Sequence, residues 1–209
     1  MPIRRDERDF ERLRALLFYL NHDQPLPNHW TRDIGGGMGE LVWPSSWPDR
    51  TPIVSILAHT FMPNHLHLFL KETTEGGVAR FMHRVSMAYS KFINKKYDES
   101  GSLFEGTYKS RIITNETDFK NLAVYIMVKN PFELYPGGLA KACQEFDVAY
   151  AQALRNPFTS LRHYDNSRDI SPILDRELLG ELFDTQEPCK ECARDSMLHT
   201  LDKFAEYDF

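Results

Sequence analysis

The chain has 209 residues, 42% of them hydrophobic and 12% aromatic, enough for one packed domain or one domain with an appended subdomain. A formal net charge of −5 and a pI near 5.9 count against a protein that coats duplex DNA without regard to sequence. No apolar run approaches the ~18 residues of a membrane span. The start, Met1-Pro2-Ile3-Arg4-Arg5-Asp6-Glu7, lacks the apolar core of a signal peptide, which points to the cytoplasm.

Residues 6–21 read as a helix, with Phe10, Leu13, Leu17 and Leu20 at helical spacing between charged residues. Residues 22–52 read as a long loop or insertion, because they hold Pro25, Pro27, Pro44, Pro48 and Pro52 together with Gly35, Gly36, Gly37 and Gly39. The glycine run is a turn and not a nucleotide loop, since no Gly-Lys-Ser/Thr follows it. Residues 53–61 form a buried strand, Met62-Pro63-Asn64 a turn, and His65 to Lys71 a second strand that pairs with the first as a hairpin. After Gly76-Gly77 comes a helix with Val78, Phe81, Met82, Val85, Tyr89, Phe92 and Ile93 on one face. Gly101 breaks the chain, and residues 106–113 read as a third strand. Asn115 caps a helix from Glu116 to about Lys129, with Glu116 and Asp118 in its first turn and Pro131 at its end. From Pro136 the pattern is mostly helical and more polar, with Leu174, Leu178, Leu182 and Phe183 in one amphipathic segment. The order α, β, β, α, β, α and a helical tail implies an α+β sandwich, one antiparallel sheet with helices on a face.

The sharpest chemical feature is His65-Leu66-His67-Leu68-Phe69-Leu70. Side chains alternate along a strand, so His65 and His67 point one way and Leu66, Leu68 and Leu70 the other, into the core. Two imidazoles side by side on a rigid strand can chelate a divalent ion; the bland reading is a partly exposed strand with two surface histidines. Tyr125 sits at the edge of the stripe formed by Phe119, Leu122, Ala123 and Ile126, so its ring can pack while its hydroxyl projects. Taken alone, it is a core-edge tyrosine. Arg80, Arg84, Lys91 and Lys95 share one helix face, and Lys109 and Arg111 share one face of the third strand. Such cations suit phosphate oxygens, although a charge stripe is more often a solvated face. The three cysteines, Cys143, Cys189 and Cys192, make no disulfide framework. Cys189-Lys190-Glu191-Cys192 is a lone CxxC with His199 its one obvious neighbour, and reads as an exposed, incidental pair.

Together these segments resemble one family. Phe61-Met62-Pro63-Asn64-His65-Leu66-His67-Leu68 looks like the signature strand of the HUH transposases, in particular the REP-associated tyrosine transposases. Gly77-Val78-Ala79-Arg80-Phe81-Met82 through Phe92-Ile93-Asn94-Lys95-Lys96-Tyr97 resembles the helix that follows. Gly101-Ser102-Leu103-Phe104-Glu105-Gly106 with Tyr108-Lys109-Ser110 resembles the next loop and strand, and Tyr125-Ile126 with Asn130-Pro131 the nucleophile helix and its Asn-Pro end. Asn156-Pro157-Phe158-Thr159-Ser160 and Ser171-Pro172-Ile173-Leu174-Asp175 are similar to the C-terminal extension.

The resemblance implies a ferredoxin-like HUH domain over residues 1–135, catalytic and DNA-binding, with its first strand missing and an insertion at 22–52. Residues 136–209 would form a C-terminal helical extension. It implies that His65 and His67, with Asn130 as third ligand, bind Mg²⁺ or Mn²⁺, and that Tyr125 attacks a DNA phosphodiester to leave a 5′-phosphotyrosine and a free 3′-hydroxyl. The substrate would be single-stranded DNA, often a folded hairpin, gripped by Arg80, Arg84, Lys91, Lys95, Lys109 and Arg111, and the protein a monomer or homodimer. In the family the Asn of Asn-Pro lies four residues after the tyrosine. Here that position is Lys129, and Asn130 is five away. Either a one-residue helical bulge restores Asn130, or the third ligand is lost. The alternative is a catalytically impaired relative that binds structured single-stranded DNA without cutting. An unrelated metal hydrolase ranks last, because no His-Glu-x-x-His motif is present.

Overall fold

The computed structural model describes residues 2–33, 40–165, 171–183 and 188–199. The glycine run at 35–39 therefore lies outside the described residues. The chain divides into two compact units, Met1–Ser55 with Leu70–Tyr108, and Ile56–Phe69 with Lys109–Phe209.

In the first unit, α1 (Glu7–Tyr19) starts at a capping box: the Asp6 carboxylate accepts from the Asp9 N–H at 3.0 Å, and the Asp9 carboxylate accepts from the Asp6 N–H at 3.1 Å. α1 packs on α3 (Gly77–Tyr97), whose buried stripe is Gly77, Phe81, Val85, Tyr89 and Ile93. That stripe is narrower than the seven-residue face expected, since Val78, Met82 and Phe92 are only half-buried. Asp9 is fully buried, a position it can hold because the Lys96 ammonium lies 2.7 Å from it and the Tyr97 hydroxyl donates to it at 2.9 Å. Gly76 turns the chain into α3 at φ +67, and a Cβ on Gly77 would stand 2.3 Å from the Ile53 carbonyl oxygen. The loop after α1 contains a short helix, α2 (Trp30–Asp33), and brings Trp43 and Trp47 onto the end of α1. Trp43 stacks on Tyr19 at 6.2 Å between ring centroids and meets Trp47 edge-on at 5.1 Å. Asn21 fixes the start of the following strand by accepting from the Ile53 and Val54 N–H groups and donating to the Val54 carbonyl.

The sheet among the described residues consists of two strands, β1 (Val54–Phe61) and β2 (Leu66–Glu72), joined as a hairpin. The far edge of β1 is covered by the C-terminal segment. Phe61 donates to the Phe158 carbonyl at 2.8 Å, Ser160 donates to the His59 carbonyl at 2.9 Å, and Thr60 forms an antiparallel bridge with Thr159.

The expected third strand at 106–113 is not formed. A strand needs a neighbour to take its backbone groups, and among the described residues no strand pairs with this segment. It runs exposed, with Ile112 86% accessible. The mixture of a small antiparallel sheet with helices remains α+β.

The second unit is built round one continuous helical run. α4 (Glu116–Val124) begins at Asn115, whose side chain accepts from the Asp118 N–H at 2.8 Å, as its capping signature implies. The run passes through a π-turn at Tyr125–Lys129 into α5 (Asn130–Glu133). Pro131 was expected to end the helix and does not: it occupies the first turn of α5, where its missing N–H is tolerated. Every residue from Ala123 to Phe132 is buried, since the run packs against α6 (Gly138–Gln144), α7 (Phe146–Arg155) and α9 (Cys189–His199). A 3₁₀ turn at Leu161–His163 and α8 (Glu177–Glu181) add Leu161, Leu179, Leu182 and Phe183 to the same core.

Candidate active site

The hairpin turn delivers the two histidines. His65 closes the turn and His67 follows one residue into β2, so the pair shares a face, with ring centroids 4.7 Å apart and planes at 90°. The Nδ1 of His65 lies 2.8 Å from the Asn64 side-chain oxygen. With Nδ1 carrying the proton that this hydrogen bond needs, the ring's lone pair resides on Nε2.

On β2 it is Phe69 that enters the core of the second unit; His65 is exposed and His67 half-buried. Phe69, in line with His65 and His67, is buried, and its ring meets Phe119 of α4 at 4.9 Å. Leu66 and Leu68, expected in the core, are only half-buried. The reason is the helical run: α4 and its π-turn supply a long apolar surface, and the strand turns the face carrying Phe69 towards it. One step along the same contact, His67 meets Tyr125 edge-on, with centroids 5.4 Å apart and planes at 89°. The pair of imidazoles and the phenol ring picked out in the sequence therefore adjoin one another.

Tyr125 was expected at the edge of its helix, hydroxyl projecting. Instead it is 1% exposed. Its surroundings explain this. Ala123 to Phe132 are covered on all sides, by β2 on one flank and by helices of the C-terminal half on the others. The π-turn also reorders the residues after it. The N–H of Asn130 bonds to the carbonyl of Tyr125, five residues back rather than four, which moves Asn130 onto the face of Tyr125. The helix thus carries a one-residue bulge, one of the two alternatives that the spacing left open. Asn130 is 1% exposed, and its side-chain nitrogen is buried with no hydrogen-bond partner. Lys129, at the position four after the tyrosine, holds its ammonium 4.8 Å from the Tyr125 ring centroid and 2.7 Å from Glu133.

Two hydroxyls missed in the sequence complete the arrangement. In an α-helix the carbonyls of Ile126 and Met127 would accept from the N–H groups of residues 130 and 131. The first of these is spent on Tyr125, and Pro131 has none. Thr60 of β1 donates to the Ile126 carbonyl, and Thr159 of the C-terminal segment donates to the Met127 carbonyl at 3.3 Å. The one sequence signal was Pro131, four residues after Met127, which announces an unserved carbonyl.

The basic residues divide differently from the single face expected. Arg80 pairs with Asp23 at 3.0 Å, and Arg84 donates to the carbonyls of His22 and Asp23, so both guanidiniums hold the loop after α1. Lys91, Lys95 and Lys109 are exposed. Arg111 reaches Asp118 at 3.5 Å, and the segment that carries it and Lys109 is not a strand. Cys189 and Cys192 are buried, not exposed as expected, because α9 lays them into the core; burial pushes the Cys189 thiol up to about 12. The side chain of His199 lies outside the described residues. Among the described residues, no three His, Cys, Asp or Glu side chains assemble as a metal site. None of the described helices is long and apolar enough to cross a membrane.

Residues 51–129 match the family model described as Transposase IS200 like, a stretch that contains both histidines and Tyr125 and covers less than half of the chain. No curated protein and no solved structure matches.

Proposed function

We propose, taking the match of residues 51–129 to IS200-like transposases as the premise, that the protein breaks and rejoins single-stranded DNA through Tyr125. The subtype that the motifs resemble is the REP-associated tyrosine transposase. The observation that carries the reading is the contact of the Tyr125 ring with His67, beside His65. A buried tyrosine whose ring meets a half-buried histidine, itself paired with an exposed one, is more than apolar packing calls for.

The reading requires a divalent ion, Mg²⁺ or Mn²⁺, which would polarise the scissile phosphate. The donors fit such an ion: two imidazoles, and the Asn130 amide, whose unserved buried nitrogen becomes a ligand oxygen on rotation of the amide by half a turn. Imidazole nitrogens suit Mn²⁺ better than Mg²⁺. In the reaction the Tyr125 oxygen bonds to phosphorus as the bond from phosphorus to the 3′-oxygen breaks. The tyrosine loses its proton, the departing oxygen gains one, and a 5′-phosphotyrosine remains. Attack by a 3′-hydroxyl on that phosphorus reverses the step. The Lys129 ammonium favours the negative charge that develops on the attacking oxygen, and Glu133 holds the ammonium in position. Because Tyr125 is covered, productive binding must uncover its hydroxyl.

The burial of Tyr125 also favours a second reading, a protein that grips DNA hairpins without cutting them. One experiment separates the two. The full chain is incubated with a labelled single-stranded hairpin and Mn²⁺, then run on a denaturing gel. The expected outcome is a covalent adduct that is lost to background in Tyr125→Phe and in His65→Ala/His67→Ala. Hairpin binding with no adduct would establish the second reading, and an adduct that survives Tyr125→Phe would remove the assigned nucleophile.

A further inference from the structure

We infer that Thr60 and Thr159 are positioning residues that set the register between Tyr125 and Asn130, and that the C-terminal segment at 156–160 is for this reason a working part of the site and not merely a cover. The inference deepens the function proposed above and rests on it for its catalytic consequence, though not for its structural content.

The argument begins with unserved backbone groups. Widening one turn of a helix from α to π leaves carbonyls without their usual donors, and in a buried segment each such carbonyl destabilises the turn unless another donor reaches it. Both carbonyls at risk here, of Ile126 and Met127, are served by threonine hydroxyls, and both threonines are 1% exposed. The hydroxyls come from different parts of the chain but are locked together: Thr60 and Thr159 form the antiparallel bridge, and their side-chain oxygens lie 3.0 Å apart. The bridge is braced on either side by the hydrogen bonds of Phe61 to Phe158 and of Ser160 to His59. Pro131 sharpens the dependence, because it can offer no N–H to Met127 in the α-register or to Ile126 in the π-register.

The consequence falls on the side chains. In an α-register the N–H of Asn130 would serve Ile126; in the π-register it bonds to the Tyr125 carbonyl, which brings Asn130 round to the face of the tyrosine, where the Lys129 ammonium also lies, 4.8 Å from the ring centroid. The threonine pair therefore decides whether the amide joins the ammonium beside the tyrosine. The same β1 that carries Thr60 continues through the turn into His65 and His67, so a single hairpin holds both the histidine pair and one half of the clamp.

The test uses the full chain and two kinds of readout. The first is structural: hydrogen exchange at the Asn130 amide, together with the nuclear Overhauser contact between the rings of Tyr125 and His67. The second is adduct formation with the labelled hairpin and Mn²⁺. Thr159→Val removes the hydroxyl at constant shape, Thr159→Ser keeps it, and Thr159→Val combined with Pro131→Ala returns an N–H to Met127 but in the α-register. Thr159→Val is expected to speed exchange at Asn130 at least ~10-fold and to slow adduct formation ~10-fold or more while hairpin affinity stays within about twofold. Thr159→Ser is expected to restore both readouts. The double variant is expected to regain the urea midpoint of the parent without regaining the adduct. If Thr159→Val leaves Asn130 exchange and the ring contact unchanged, or if the double variant restores the adduct, the inference is overturned. A parent protein that forms no adduct defeats the proposed function, and the exchange data still decide the clamp.

Discussion

Individual residues carry heavy loads in this chain where they serve backbone groups that have no other partner. Asn21 is the clearest case: 3% exposed, it satisfies the Ile53 and Val54 N–H groups and the Val54 carbonyl with one side chain. Asn21→Leu keeps the volume and strands all of these groups. Each buried unserved group costs ~1–3 kcal/mol, and partial relaxation reduces the sum, so the expected loss is about 2–4 kcal/mol by urea denaturation. A loss below about 1 kcal/mol would mean that the loop rearranges to serve them. At this scale the sequence displayed residue types but not partners. That His65 and His67 share a face was legible because strand alternation is rigid; that the Tyr125 ring meets His67 rests on packing between separate elements. Thr60 and Thr159 were not legible, since a hydroxyl donating to a carbonyl 66 or 32 positions away leaves no local pattern.

Elements with a strong local signal formed where expected. α1, α3 and α4 have apolar stripes, and α1 and α4 have side-chain caps, all features of near neighbours in the chain. The elements that departed from expectation depend on distant partners. Residues 106–113 alternate like a strand yet find no neighbour, and the helix containing Pro131 continues because donors from elsewhere relieve it. The junction of α1 and α3 yields a pH dependence. The Lys96 ammonium, 2.6 Å away, holds the Asp6 carboxyl below its usual range. A carboxylate whose folded pKa is depressed stabilises the fold above its unfolded pKa of about 3.9, and that contribution is lost as the pH falls through the lower folded value. Thermal melts are therefore expected to show a drop below about pH 4 that is smaller in Asp6→Asn. An equal drop in both proteins would assign the acid sensitivity to other groups.

For the molecule as a whole, charge sets the terms on which nucleic acid can be held. With a net charge of −5, attraction must come from local cations, and Arg80 and Arg84 are already committed to the loop after α1. Lys91, Lys95 and Lys109 are exposed. If these three contact phosphates, replacing all of them with Ala should lower the magnitude of the slope of log K against log salt for single-stranded DNA by about 2, measured by fluorescence anisotropy. An unchanged slope would place the contacts on other residues. The overall class, small antiparallel hairpin plus helices, could be read from element order alone. The division into two compact units could not, because each unit joins segments far apart in sequence. One feature of the second unit bears on the chemical outcome of the whole cycle. A phosphodiester attached to a tyrosine as sheltered as Tyr125 would be screened from stray hydroxide, so the severed end would be kept until a DNA hydroxyl arrived to reclaim it. On the function proposed, a site that closes again over that side chain would favour exchange of strands over simple hydrolysis.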